Sequence, residues 1–110
     1  MQPLGSRAEL QGLVASDKAL LVYVSTPSCG VCASMKPKVL ALAREHFPRM
    51  AVRYLDAAAV PEAAGQLSVF AVPAVLVFFE GRETVREARN FGIAELGAKI
   101  DRYYSMLFGD

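Results

Sequence analysis

Two residues of this chain can do redox chemistry by both type and spacing. Cys29 and Cys32, its only cysteines, enclose Gly30 and Val31. They stand where an apolar run, Ala19 to Val24, gives way through Ser25-Thr26-Pro27-Ser28 to a segment patterned as a helix. A helix opening at about Cys29 sets free backbone N–H groups and the positive dipole end beside the first sulfur, which favours its thiolate, the nucleophilic form. Two thiols separated by two residues across a helix start also close a disulfide with little backbone movement. The spacing predicts Cys29, nearer the loop, as the exposed attacking sulfur and Cys32, a turn inside, as the covered resolving one. Gly30 leaves no side chain to crowd an approaching partner.

The same residue types admit other chemistry. Structural zinc takes four protein ligands, and the chain offers one histidine, His46, and no second cysteine pair, which argues against a metal site within one chain. A zinc ion or iron–sulfur cluster shared through the CxxC pairs of a dimer remains open. So do a binding module that uses the cysteines as a redox sensor and a pair of ordinary buried cysteines. His46 lies near the end of the helical segment, roughly 25 Å along the axis from Cys29, and reads as a cation at a helix C-terminus.

With 110 residues, 54% of them hydrophobic, the chain is read as one domain spanning 1–110 with a single core. Twelve Lys and Arg against eleven Asp and Glu, scattered along the chain, leave no electrostatic footprint for nucleic acid or an acidic membrane surface. The N-terminal residues show no basic segment followed by an apolar one, and the longest apolar run, Val69 to Phe79, is broken by Pro73. The expectation is a soluble cytoplasmic protein without membrane or nucleic-acid partners. In a reducing compartment a lone CxxC is more often catalytic or metal-binding than a structural staple.

The positioning elements follow in order. Ser6-Arg7-Ala8-Glu9 has the form of a capping box, and Leu10, Leu13 and Val14 predict a helix to about Ser16. Ala19 to Val24 reads as a strand buried on both faces, and the helix after Cys29 carries Met35, Val39, Leu40, Leu42 and Ala43, with Pro37 inside it, until Phe47-Pro48. Met50 to Asp56 predicts a strand and Ala57 to Leu67 a short helix, with Pro61 suited to a first helical position. Ala74 to Phe79 and Thr84 to Ala88 form a hairpin around Gly81. Phe91-Gly92 precedes a last helix whose apolar face runs from Ile93 to Leu107. Alternating strands and helices ending in a hairpin give an α/β mixed sheet with helices on both faces.

From Ser16 to Leu107 this ordered set resembles the thioredoxin family: Asp17-Lys18 before the strand, Cys29-Gly30-Val31-Cys32, Pro37 five residues on, Val72-Pro73, the Gly81 hairpin and Phe91-Gly92. The resemblance implies a thioredoxin-like fold, here of about four strands with the family's N-terminal strand absent. It implies reversible dithiol–disulfide exchange on disulfide-containing proteins, with no cofactor in the chain and electrons from a separate disulfide reductase, by family analogy a flavin enzyme fed by NADPH. It also implies a cis Val72-Pro73 bond beside the cysteines. There Val72 offers its backbone to an extended substrate segment, with Ser28 and Gly30 at the edge of the contact.

Three departures bear on chemistry. Ser28 replaces an aromatic, so the surface around Cys29 is expected to be less apolar and the substrate range different. Val31 replaces a proline between the cysteines. Tyr23 occupies the position, six residues before the first cysteine, of the buried acid that helps deprotonate the second. It either orients a proton-relaying water or packs as core.

Overall fold

The two most apolar segments, Ala19–Ser25 and Ala74–Phe79, are buried at every position and form the middle of the sheet. The computed structural model describes residues 1–109, in the order β1 (Gln2–Pro3), α1 (Arg7–Ser16), β2 (Ala19–Ser25), α2 (Gly30–His46), β3 (Ala51–Asp56), α3 (Pro61–Gln66), β4 (Ala74–Phe79), β5 (Arg82–Ala88) and α4 (Ile93–Phe108). One sheet of five strands has the spatial order β1-β3-β2-β4-β5. β3 runs parallel to both β1 and β2, whereas β4 is antiparallel to β2 and to β5.

Alternation along the strands divides the core between two faces. Leu21, Tyr23, Val75 and Val77 pack under α2 and α4 with Val39, Ala43, Leu96 and Ile100. Leu20, Val22, Val24 and Leu76 turn the other way, onto Leu10 of α1 and Ala63 and Ala64 of α3. Adjacent Phe78 and Phe79 fall in opposite clusters, as the two-sided reading requires.

The expected absence of an N-terminal strand is corrected by β1. Gln2 and Pro3 pair with Arg53 and Tyr54, and the Leu4 amide donates to the Tyr54 carbonyl at 2.7 Å. Two residues are too few to show a period, and proline is tolerated because the strand lies at the sheet edge. Arg53 fixes the edge by donating to the Gln2 and Pro3 carbonyls and pairing with Glu9 at 2.7 Å.

The Ser6 hydroxyl accepts from the Glu9 amide and caps α1, while the Glu9 carboxylate takes the Gly5 amide rather than that of Ser6 itself. Pro61 opens α3, and Gly81 turns the hairpin with φ of +81°, a conformation that side chains disfavour. β5 begins at Arg82, two residues before the expected start, because the strands stay paired up to the turn.

Candidate active site

The strand register brings three loops to one end of the sheet. Ser25, the last residue of β2, pairs with Asp56 at the end of β3, and Val24 pairs with Ala74 at the start of β4. The loop that delivers Cys29 and the turn that ends in Pro73 therefore leave neighbouring strands at the same edge.

Cys29 is the N-cap of α2. Its sulfur accepts from the Cys32 amide at 3.1 Å and its carbonyl from the Ala33 amide at 3.3 Å. The first turn of α2 holds no acidic residue to oppose a thiolate. Cys29 is half-buried, less open than expected, and Cys32 is only 2% exposed, so the order of exposure alone follows the helix-start argument. The two are paired as a disulfide with Cα atoms 5.2 Å apart, within the usual range.

Both cysteines line a cleft of 160 Å³ whose other walls are Ser25, Thr26, Pro27, Ala33, Lys36 and Tyr54. Behind it stands Tyr23, wholly buried, whose hydroxyl donates to the Cys32 carbonyl at 2.7 Å. Burial, reinforced by the neighbouring Tyr54 hydroxyl, pushes the Tyr23 phenol up to about 12. A phenol that keeps its proton and spends it on a backbone carbonyl is an anchor between β2 and α2, not a general base at neutral pH. Tyr54, directly across from Tyr23 on β3, accepts at its hydroxyl from Ser25 Oγ at 3.0 Å.

The Val72-Pro73 peptide is cis, with Pro73 buried and Val72 half-buried. The segment leading to it is tied down by Arg86, which donates to the carbonyls of Leu67 at 2.5 Å and Ser68 at 3.2 Å while its guanidinium grips both oxygens of Glu83. Just before the cis bond, Phe70 is 90% exposed, and within the motif Val31 is 58% exposed. Exposed apolar side chains thus stand within the motif and shortly before the cis bond, although Ser28, itself exposed, is not one of them. A Cβ added at Gly30 would meet nothing within 4 Å, so the fold alone does not demand glycine there. His46 ends α2, exposed, at the far end from the cysteines.

The sequence alone does not single out Lys36, Tyr54 or Ser25 as site residues. Lys36 had a readable signal, standing four residues after Cys32 on one helix face. Tyr54 had none, because only the strand register sets it opposite Tyr23. Among the described residues no cluster of three or more His, Cys, Asp or Glu is placed to hold a metal, and no helix is long and apolar enough to cross a membrane.

A sequence model of the thioredoxin family matches residues 5–101. A thioredoxin-like protein of Bacillus subtilis, YdfQ, is 34% identical over 110 residues, covering 100% of this chain and 97% of its own. A thioredoxin of Echinococcus granulosus is 34% identical over 89 residues, 79% of this chain and 82% of its own. Among solved structures, the thioredoxin of Fasciola hepatica superposes with a TM-score of 0.82 at 30% identity, covering 93% of this chain and 98% of that one. The family match takes in the cysteine pair, the Val72-Pro73 turn and most of the final helix. The chain therefore belongs to the thioredoxin family and is a thiol–disulfide oxidoreductase whose couple is Cys29–Cys32.

Proposed function

We propose that the protein reduces disulfides of other proteins, with Cys29 as the attacking sulfur and Cys32 as the resolving one. The observation that carries this reading is the asymmetry of the pair: the Cys29 sulfur caps a helix at the mouth of the cleft, whereas Cys32 is buried one turn behind it. In the reduced protein the Cys32 amide and the helix dipole lower the energy of the Cys29 thiolate. That thiolate attacks one sulfur of the substrate disulfide, forming a mixed disulfide and releasing the other substrate sulfur as a thiolate. Cys32 then attacks Cys29, closing the intramolecular disulfide as the second substrate sulfur leaves. Two electrons pass from the protein to the substrate, and the leaving thiolates take up two protons.

The Val72-Pro73 edge serves as the docking strand for an extended substrate segment, with Ser28 and Gly30 beside it. Support comes from the register that sets Pro73 and the Cys29 loop at one sheet end. Regeneration is assigned to a separate disulfide reductase as electron donor, since each turnover leaves the protein oxidised by two electrons with Cys29–Cys32 closed. A couple that works as a reductant fits a reducing compartment, so the cytoplasm is the proposed location.

The test is trapping. Cys32→Ser should accumulate a mixed disulfide between Cys29 and a disulfide-bonded protein, seen as a mass adduct that dithiothreitol removes, and Cys29→Ser should trap nothing. A wild type that releases no thiols from any protein disulfide would overturn the reading.

A further inference from the structure

Lys36 brings a positive charge to the lining of the cysteine cleft. We propose that Lys36 is the positioning cation of the resolving step, keeping a positive charge against the space into which Cys32 opens so that the Cys32 thiolate can form. The inference rests on the reading of Cys32 as the resolving sulfur.

Three observations carry it. Lys36 stands one helical turn beyond Cys32 and lines the same cleft as both sulfurs. Its ammonium is held rather than free: Nζ lies 4.1 Å from the centroid of the Tyr54 ring, and the Tyr54 hydroxyl is fixed in turn by buried Ser25. A cation over an aromatic face is attracted by the ring quadrupole, so the charge is kept at the cleft wall. Finally, among the residues that line the cleft Lys36 alone carries a formal charge.

The other ionisable groups nearby do not supply that charge. From β2, Tyr23 is committed as a donor to the Cys32 carbonyl. From β3, Tyr54 is the platform under Lys36, and Asp56, two residues on along the same strand face, accepts from the Ala58 and Ala59 amides. Thr26, Pro27 and the Val72-Pro73 segment contribute no ionisable side chain.

Chemically, the mixed disulfide joins Cys29 to the substrate. The Cys32 thiol gives its proton to cleft water, and its thiolate attacks Cys29 Sγ. The Cys29–Cys32 bond forms while the Cys29–substrate bond breaks, and the departing substrate thiolate takes a proton from solvent. A neighbouring positive charge favours the charged form of the attacking sulfur. It compensates for the apolar burial that would otherwise hold Cys32 protonated.

The test reads Cys32 directly, without turnover. In a Cys29→Ser background with 13C-labelled cysteine β-carbon, the single remaining thiol is titrated by NMR, alone and with Lys36→Met, Lys36→Gln or Lys36→Arg added. Both neutral variants should raise the Cys32 midpoint by about 0.5 to 1 pH unit, and Lys36→Arg should hold it within about 0.3. An unchanged midpoint in the neutral variants would overturn the proposal, as would an equal shift in all three, which would report side-chain shape rather than charge. Using two neutral variants protects the test against one that fails to fold. A wild type without disulfide reductase activity would sink the functional reading and leave this titration interpretable.

Discussion

The two faces of the sheet bury different things. Under α2 and α4 lie the rings of Tyr23, Phe47, Phe79, Phe91 and Tyr104, whereas the face under α1 and α3 holds Phe78 amid aliphatic side chains. Two of those rings carry hydroxyls that pin the cysteine helix near both ends. Tyr23 donates to the Cys32 carbonyl in its first turns, and Tyr104 accepts from the Arg49 amide just past its C-terminus, at 3.1 Å. Hydrophobic burial is non-directional and lets a helix slide, while a hydrogen bond fixes position along the axis. The face that must aim two sulfurs uses directional contacts. Among the described residues, the core of the face under α1 and α3 holds no ring hydroxyl, and its directional contact comes from Arg86 at the rim, on the Leu67 carbonyl.

The largest effect comes from removing chemistry without removing structure. Cys29→Ser should abolish thiol release from a disulfide-bonded protein, while the far-ultraviolet circular dichroism and thermal midpoint of the reduced protein stay close to wild type. On the opposite face, Leu20→Ala empties a fully buried position and should cost about 2 to 5 kcal/mol in urea unfolding, with turnover per folded molecule unchanged. If Leu20→Ala instead lowered turnover per folded molecule, the division of labour between the faces would be wrong.

Smaller effects sharpen the contrast. Tyr23→Phe keeps the ring and loses one buried hydrogen bond, so it should cost about 1 kcal/mol. The wild-type phenol is raised from 10.0 to about 12 by burial first and by Tyr54 second. The unfolded chain therefore loses its proton first, and this contribution to stability is full below pH 10 and lost as pH rises toward about 12. Tyr23→Phe should lack that alkaline component when unfolding is measured across the window.

The weakest expected effect is at the Arg86–Glu83 pair beside the segment leading to Val72. The hydrogen bonds from Arg86 hold the Glu83 carboxyl below its usual value, so the stability it adds is present at neutral pH and lost as pH falls through the folded-state value. Both partners are 37% exposed and screened by solvent, which limits Glu83→Gln to no more than about 0.5 to 1 kcal/mol. Denaturant unfolding at neutral and acid pH should show the difference between Glu83→Gln and wild type shrinking in acid.

Local signals in the sequence carried the strands, the helix starting beside Cys29 and the exposure difference between the sulfurs, because apolar runs and caps are contained within a few consecutive residues. β1 escaped because two residues have no period, and its partner Arg53 is fifty residues away in sequence. Tyr23 was recognisable as a departure, but its role depended on which atom its hydroxyl meets. The Lys36–Tyr54–Ser25 set draws on α2, β3 and β2, so it exists only once the register aligns them. Arg86 was likewise an ordinary strand residue until the fold brought the Leu67 and Ser68 carbonyls within its reach.

Reduction of protein disulfides requires that Cys29 and Cys32 form a reversible couple more reducing than glutathione. Equilibrating the protein in dithiothreitol and glutathione buffers of graded potential, with its thiol state read by alkylation and mass, measures that couple. A single two-electron transition is expected at a potential more negative than a glutathione poise of about −240 mV. A clearly less negative transition, or no reversible transition, would contradict the proposed reduction.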